Sequence, residues 1–326
     1  MESPSDHTKE SANTELLKER LEQLARTHGP WRENVGLAQT VSTAGSIRVA
    51  EERRVAAILQ ASSDALGTPL GASRVLDLGP GDGRFSVEFA LQGAEVVAIE
   101  GRLGNVEKVR FLKDALDLDR LEVVHADVRD LRRETFGSFD LVLCLGVLYH
   151  LDGAAAVGLV HQVAEMTTRA AVIDTHVGFR PSQAVTSQGR TYRGERVREF
   201  DPKAPADEQE RLGYSSLGNA ESLWLTRPSL LNLISDAGFT SVGELRVPRS
   251  TMAGDRITLL AFRGAPAPVM SARDGATVEP AHWGERERSD RHPGQRWRGR
   301  IKRGLAPLAP RSLKNWVRRR RGGPAR

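Results

Sequence analysis

Short apolar runs alternate with longer amphipathic stretches through the middle of the chain. The runs are rich in Val, Ile and Leu and predict buried strands at 74–78, 95–100, 121–125, 139–145 and 170–175. The stretches between them repeat apolar residues at helical spacing and predict helices at 84–92, 102–116 and 152–168. Because apolar strands that alternate with helices form parallel sheets, we expect an α/β domain with helices on both faces.

The pattern changes after the fifth strand. Residues 177–225 lack strong periodicity and are too many for a simple connection, so we predict a lid or a substrate-binding insertion there, with a solvated charged loop as the alternative. Thr226 and Gly238 are the expected cap and stop of a following helix at 228–237. Two further strands are predicted at 241–247 and 256–262.

Segments of different composition flank this domain. Apolar residues at helical spacing predict a helix that ends at Gly29 and a second helix at 47–66. Beyond Gly264 the chain is rich in Pro, Gly, Ser and charged residues, which is typical of a linker. The predicted parts are a disordered segment, an N-terminal helical cap, the main domain, a linker and a basic tail, at 1–12, 13–72, 73–264, 265–294 and 295–326.

Charge is distributed unevenly along the chain. Residues 291–326 hold 13 Lys or Arg and no Asp or Glu, so the remainder has 47 − 13 = 34 basic against 42 acidic residues, a net charge of −8. A main domain with net negative charge is not expected to bind nucleic acid over its whole surface. The tail itself alternates arginines with Trp and Leu, which suits an anionic membrane surface or RNA, or a solvated disordered tail.

Other features bear on the compartment. No apolar run approaches the roughly 18 residues of a membrane span, and the polar N-terminus does not resemble a secretory signal. The single cysteine, Cys144, has no partner for an intramolecular disulfide. We therefore expect a cytoplasmic protein, with peripheral membrane contact through the tail as an open alternative; the sequence does not define an oligomeric state.

The most informative stretch is 74–89, RVLDLGPGDGRFSVEF. Gly79, Gly81 and Gly83 stand between a strand and a helix, where backbone amides can approach a ligand closely. The spacing is G-x-G-x-G rather than the G-x-G-x-x-G of dinucleotide sites, and Asp77 stands two residues before the first glycine. A carboxylate there would repel a phosphate and would favour a cofactor that carries positive charge.

This motif resembles the [DE]-x-G-x-G-x-G motif of class I S-adenosylmethionine-dependent methyltransferases, and the likeness extends over about 73–262. The resemblance implies a Rossmann-like, mostly parallel seven-stranded sheet with a reversed C-terminal strand pair, and S-adenosyl-L-methionine as cofactor. It also implies that Asp77 orients the loop and the methionine end of the cofactor, that Glu100 binds the ribose hydroxyls, and that Asp127 and the Val128 amide bind the adenine. Asp127 as a helix cap is the competing interpretation. The implied cofactor residues are Asp77, Gly79, Gly81, Gly83, Glu100, Asp127, Val128 and Leu145.

Candidate catalytic residues follow the fourth and fifth strands. Tyr149 and His150 belong to a GVLYH segment that resembles those of tRNA wobble-uridine modification enzymes and many small-molecule methyltransferases. We expect His150 or His176 as a general base with Tyr149 beside it, and structural packing is the alternative for each. We expect no metal site, because neither histidine has an obvious set of carboxylate partners in the sequence.

The stretch 177–225 mixes cations with aromatic residues, which bind sugars, carboxylates or phosphates. They are Arg180, Arg190, Tyr192, Arg193, Arg196, Tyr214 and Trp224. We therefore expect O-methylation of a small-molecule or glycan acceptor. RNA (tRNA) modification and a catalytically silent cofactor-binding module are the alternatives.

Overall fold

Seven strands form the central sheet of the computed structural model, in the order β11-β12-β7-β6-β3-β4-β5. These strands are β3 (Arg74–Leu78), β4 (Glu95–Glu100), β5 (Leu121–His125), β6 (Phe139–Leu145), β7 (Thr167–His176), β11 (Ser241–Leu245) and β12 (Arg256–Phe262). Strands β3 to β7 pair in parallel, whereas β12 is antiparallel to both β7 and β11. The prediction of a mostly parallel, Rossmann-like seven-stranded sheet is confirmed, and within the C-terminal pair β12 is the strand that runs in reverse.

The structure describes residues 4–38, 41–43, 49–203, 215–247 and 255–264, with side chains from residue 14 onward except residue 38. These ranges all fall within one compact unit, residues 1–268. The predicted linker at 265–294, the basic tail at 295–326 and Tyr214 lie outside the described residues. Within the described ranges, the helices are all too short or too polar to cross a membrane.

Helices cover both faces of the sheet. They are α2 (Val49–Leu66), α3 (Arg84–Leu91), α4 (Leu103–Ala115), α5 (Arg133–Phe136), α6 (Gly153–Met166) and α7 (Arg227–Asp236), with 3-10 turns at Leu70–Ala72, Val128–Asp130 and Leu148–His150. Thr226 caps α7 by accepting a hydrogen bond from the Ser229 amide, as predicted.

Alternation along β3 divides the core into two layers. Leu76 and Leu78 are fully buried on one face, in a cluster that includes Val160 of α6. Val75 is fully buried on the other face, in a cluster that includes Ile58 of α2. Because consecutive strand residues point to opposite faces, a strand buried on both sides is apolar throughout, and this is why the sequence locates these strands so closely.

The N-terminal part is less simple than predicted. Helix α1 (Pro4–His28) begins near the start of the chain, so the prediction that residues 1–12 are disordered is wrong for residues 4–12. Between α1 and α2 lies a small hairpin of β1 (Gly36–Ala38) and β2 (Val41–Ser42). Leu21 and Leu24 of α1 are buried, whereas Leu16 is 64% exposed. The apolar face of α1 is therefore shorter than its leucine pattern indicates.

The stretch 177–225 is also more regular than its sequence indicates. It contains a three-stranded antiparallel sheet of β8 (Gln183–Ser187), β9 (Arg190–Arg198) and β10 (Glu221–Leu225), in the order β10-β9-β8. Leu223 and Tyr192 join the apolar cluster beneath this sheet, which fixes it to the α6 side of the domain. We call these three strands the acceptor-side sheet.

Candidate active site

A glycine turn links β3 to α3 and forms the floor of the site. Gly79, Gly81 and Gly83 have φ of 61°, 60° and 93°, a region that side chains with a Cβ rarely adopt. A Cβ at Gly79 would also lie 2.4 Å from Cγ2 of Val147. The turn therefore needs glycine both for its backbone conformation and for close packing against the end of β6.

A cavity of about 420 Å³ opens above this turn, at the carboxyl ends of the central strands. Its volume lies in the range of ligand pockets in general. Every predicted cofactor residue except Gly83 lines it, namely Asp77, Gly79, Gly81, Glu100, Asp127, Val128 and Leu145. Gly83 lies just below the cavity, as the N-cap of α3.

Glu100 is buried at the tip of β4, with only 5% of its surface exposed. Its Oε2 accepts a hydrogen bond of 3.1 Å from the Gly81 amide and its Oε1 one of 2.7 Å from the Arg102 amide. Burial raises the pKa of this carboxyl above its ordinary value, although the two amides oppose that shift. Glu100 is thus held rigidly against the glycine turn, with its carboxylate at the cavity wall.

Two more acidic groups of the cavity wall, Asp77 and Glu33, have strongly raised pKa values. Burial raises the pKa of Asp77 to about 7, although Ser86 Oγ donates a 2.6 Å hydrogen bond to it. Burial, reinforced by nearby Asp82, also raises the pKa of Glu33 to about 7. A ligand with positive charge beside these groups would favour their ionised forms.

Asp127 has the capping role that the sequence analysis gave as the alternative to adenine binding. It caps the 3-10 turn at Val128–Asp130 by accepting from the Arg129 amide at 2.8 Å. Burial alone would raise the pKa of Asp127, but hydrogen bonds from the Arg129 side chain and amide outweigh it and hold the pKa below its ordinary value. Asp127 also lines the cavity, so capping and adenine binding remain compatible.

The segment after α1 supplies cavity residues that sequence reasoning missed. Arg32, Glu33 and Asn34 line the cavity, and Asp82 of the glycine turn accepts hydrogen bonds from the amides of Arg32 and Glu33. Asp82 also pairs with Lys108 of α4 at 3.1 Å, with both side chains 1% exposed. These contacts join residues 26 to 50 positions apart, and no local pattern in the sequence reveals them.

Tyr149 and His150 line the opposite side of the cavity. Their rings lie 4.2 Å apart, and Nδ1 of His150 lies 2.9 Å from Oε2 of Glu199, one residue beyond β9. Burial raises the pKa of Tyr149, so its hydroxyl stays protonated at neutral pH and can serve as a hydrogen-bond donor.

His176 lies behind Tyr149 rather than on the cavity wall. Its ring meets that of Tyr149 edge-on at 4.6 Å and stacks on Trp224 at 4.6 Å. Its Nδ1 lies 3.3 Å from Oδ2 of Asp255, in a geometry that does not make a hydrogen bond. The structure therefore gives each candidate histidine one carboxylate neighbour, which the sequence did not reveal.

A buried carboxylate at the end of β7 organises two arginines of the cavity wall. Asp174 is fully buried, accepts from Arg256 Nε at 2.5 Å and lies 3.5 Å from Arg54 of α2. Burial would raise the pKa of Asp174, but the two guanidinium groups hold it below its ordinary value. Arg256 also lies over the ring of Tyr149, 5.5 Å from its centroid.

A short segment that we call the strap, 215–219, closes the side of the cavity between Glu100 and His150. The Arg102 guanidinium donates to the carbonyls of Ser215 and Ser216 at 2.9 and 3.1 Å. The Ser216 amide donates to Glu199 at 3.0 Å, and Asn219 donates to the carbonyl of His150 at 2.9 Å. Among the described residues, no group of three or more His, Cys, Asp or Glu side chains has the arrangement of a metal site.

Comparison with known proteins gives a consistent match. The profile of a family described as methyltransferase domain matches residues 75–169, from β3 to the start of β7. A ubiquinone biosynthesis O-methyltransferase of Xanthomonas oryzae pv. oryzae is 36% identical over 91 residues, which are 27% of this chain and 36% of that protein. The 23S rRNA (uracil(1939)-C(5))-methyltransferase RlmD of Shewanella halifaxensis is 40% identical over 78 residues, 23% of this chain and 18% of that protein. The chain thus spans about a third or less of the length of these curated relatives.

A solved structure matches over a longer stretch. The N-terminal domain of EvdMO1, crystallised in the presence of S-adenosylhomocysteine and D-fucose, is 25% identical with a TM-score of 0.59. The match covers 77% of this chain and 96% of that domain. It therefore extends well beyond the cofactor half of the fold that the family profile describes.

Proposed function

Because the chain carries a class I S-adenosylmethionine-dependent methyltransferase domain, we propose that it transfers a methyl group to a hydroxyl of a small molecule or glycan. One observation carries the proposal: a single cavity joins the glycine turn, Glu100 and Asp127 on one side to Tyr149 and His150 on the other. The residues that we assign to the cofactor and those that we assign to the acceptor thus line the same cavity.

The residues of the cavity fit this cofactor. The buried carboxylates of Asp77 and Glu100 suit its ammonium and ribose groups. The glycines of the turn have no Cβ, so the backbone amides can lie close to the ligand. We assign Glu100 to the ribose hydroxyls, Asp127 and the Val128 amide to the adenine, and Leu145 to the wall beside it. When bound, S-adenosylmethionine supplies a methyl group that a sulfonium already activates.

The protein then has two tasks, alignment of the acceptor and removal of its proton. Tyr149 and His150 lie on the cavity wall, and we assign His150 to the proton and Tyr149 to orientation of the acceptor oxygen. His176 lies behind Tyr149 and supports that ring from the edge. The hydroxyl acceptor is favoured by the named function of the ubiquinone relatives, and a glycan acceptor by the sugar present with the EvdMO1 domain.

Calorimetry with S-adenosylhomocysteine tests the cofactor site. We expect Glu100→Ala to weaken binding at least about tenfold, because each lost hydrogen bond to a charged group costs about 1.5–3 kcal/mol. Glu95→Ala is the matched control, since Glu95 begins the same strand, pairs with Arg74 at 2.7 Å and lies outside the cavity. Equal affinity of the wild-type protein and Glu100→Ala for S-adenosylhomocysteine would contradict the assignment of Glu100 to the cofactor site.

Transfer of a labelled methyl group into a cell extract tests the reaction itself. Label in a small-molecule or glycan fraction supports the proposal, and label in RNA would move the function to RNA modification. Binding of S-adenosylhomocysteine without transfer to any fraction would identify a silent cofactor-binding module.

We further propose that the basic tail, 295–326, brings the enzyme to an anionic surface. Between 291 and 326 the chain has 13 basic and no acidic residues, interleaved with Trp297, Leu305 and Trp316. Basic residues mixed with Trp and Leu favour the boundary of an anionic membrane.

A further inference from the structure

His150 has a buried carboxylate as its neighbour. Its Nδ1 lies 2.9 Å from Oε2 of Glu199, whose side chain is 6% exposed, whereas the His150 side chain is 19% exposed. A carboxylate at that distance accepts the Nδ1 proton of a neutral imidazole. Because Nδ1 is engaged by Glu199, the ring nitrogen that remains for an acceptor is Nε2.

Glu199 is itself held in place from a second direction. Its Oε2 also accepts a hydrogen bond of 3.0 Å from the Ser216 amide. Burial alone would raise the pKa of Glu199, but the hydrogen bonds from His150 and from the Ser216 amide hold the pKa below its ordinary value. The carboxylate is therefore ionised, desolvated and fixed beside the imidazole at neutral pH.

The charged and titratable groups around this pair come from several elements. Tyr149 faces His150 from the same 3-10 turn, and its raised pKa keeps it neutral. Arg256 of β12 lies over the other side of Tyr149, and its charge is balanced by Asp174. Among the described residues, Glu199 is the carboxylate within ion-pair distance of His150.

We propose that Glu199 is the positioning residue of His150, which fixes the Nδ1–H tautomer and stabilises the imidazolium that forms when Nε2 takes the acceptor proton. This rests on the proposed function. The acceptor oxygen forms its bond to the methyl carbon as the methyl–sulfur bond breaks, and the electron pair of that bond stays on sulfur. The acceptor proton passes to Nε2 of His150 and is later released to water.

The tautomer can be read without any acceptor. In the full-length protein with ¹⁵N-labelled histidine, at a pH where the ring is neutral, we expect the nitrogen shifts of His150 to report that the proton is on Nδ1. Assignment follows from the signal that disappears in His150→Ala. Glu199→Ala should abolish the preference for Nδ1–H, and an unchanged ring signal in that variant would overturn the proposal.

Glu199→Gln keeps the shape and an acceptor oxygen for the Ser216 amide, so it separates the loss of charge from misfolding. We expect it to lower methyl transfer into the labelled extract fraction by at least about tenfold, within the range of general base catalysis. Its affinity for S-adenosylhomocysteine should match that of the wild-type protein. In a His150→Ala background the same substitution should change the rate less than twofold, because Glu199 acts through His150.

A matched control lies on the same strand. Glu195 accepts the amides of Phe179 and Arg180 at 3.1 Å each and does not line the cavity, so Glu195→Gln should leave both the tautomer and the rate unchanged. Equal losses from Glu199→Gln with and without His150 would show a merely structural role and overturn the proposal. If the wild-type protein does not bind S-adenosylhomocysteine, the proposed function itself is overturned.

Discussion

Two carboxyl groups of the cavity, Asp77 and Glu33, should make cofactor binding depend on pH. Burial raises both pKa values to about 7, from 3.8 and 4.5 respectively. Ser86 and Glu100 face Asp77, whereas Asp82, Arg54 and the Arg84 amide face Glu33. At a pH between the ordinary and the raised pKa values, the folded protein binds more protons than the unfolded chain. The free energy of unfolding of the ligand-free protein therefore falls as pH rises toward 7.

Binding of S-adenosylmethionine should reverse this balance. Its positive charge favours ionised carboxylates, so binding releases protons and tightens as pH rises from 6 to 8, by up to about tenfold per pH unit for each proton released. Calorimetry in buffers of different ionisation enthalpy measures that release. Asp77→Asn should reduce it, and S-adenosylhomocysteine, which lacks the sulfonium charge, should show a weaker dependence. Identical pH profiles for the two ligands would contradict this assignment.

Gly79 should tolerate no side chain. The substitution Gly79→Ala puts a methyl group at φ 61° and 2.4 Å from Val147, a β-branched residue that cannot turn away easily. Gly81→Ala isolates the backbone cost, because Gly81 has φ 60° with nothing within 4 Å of a Cβ. Urea unfolding should show a loss of about 1–2 kcal/mol for Gly81→Ala and at least twice that for Gly79→Ala. Equal losses would mean that Val147 moves freely.

The site residues that the sequence alone predicted are those that local patterns identify. Asp77 and the three glycines lie in one turn, and Glu100 lies at the end of an apolar strand, so short patterns identify them. Glu33, which lines the cavity, and Glu199, which contacts His150, carry no such pattern, because their contacts are with residues about 50 positions away. Only the folded chain brings these residues together.

At the scale of elements, burial on both faces decided which strands could be predicted. The bounds of β3, β4, β5, β6 and β12 agree with the apolar runs. All but β5 are buried along most of their length, whereas β5 lies at the edge of the sheet with Glu122 and His125 exposed. Strand β9 was missed because, among its nine residues, only Tyr192 and Gly194 are buried and arginines occupy the open positions. A small sheet that is solvated on one face leaves too few apolar residues for a period of two to be visible.

The strap depends on Arg102, which joins it to the start of α4. Its guanidinium donates to Ser215 and Ser216, and its amide donates to Glu100. We expect Arg102→Ala to speed hydrogen exchange of the Ser216 amide at least about tenfold, because the strap loses its anchor while the central sheet is unaffected. Exchange followed by mass spectrometry measures this.

Arg110→Ala is the control for Arg102→Ala. Arg110 lies on α4 and forms an exposed pair with Glu107 at 3.1 Å, so its loss should leave strap exchange unchanged. If Arg102→Ala also leaves exchange of the Ser216 amide unchanged, the hydrogen bonds from Ser216 to Glu199 and from Asn219 to the His150 carbonyl are sufficient to hold the strap.

For the whole molecule, the cavity is a product of long-range folding. Its walls come from the segment after α1 and from α2, from the central strands, and from the strap with β12, which are far apart in sequence. The match to the family profile covers the central part, 75–169, and leaves out both outer parts. The family profile therefore covers the glycine turn, Glu100 and Asp127, whereas it leaves out the outer walls of the cavity.

The division of charge over the whole chain gives the last prediction. Residues 291–326 carry 13 positive charges against −8 for the remainder, so the two parts should respond oppositely to an anionic surface. We expect the full chain to sediment with vesicles that contain phosphatidylserine and to be released as salt shortens the screening length to about 3 Å at 1 M. A chain that ends at residue 290 should not sediment, yet should bind S-adenosylhomocysteine as tightly as the full chain. Sedimentation that survives the deletion would reject the tail as the anchor, and binding to RNA but not to vesicles would assign it to a nucleic-acid partner.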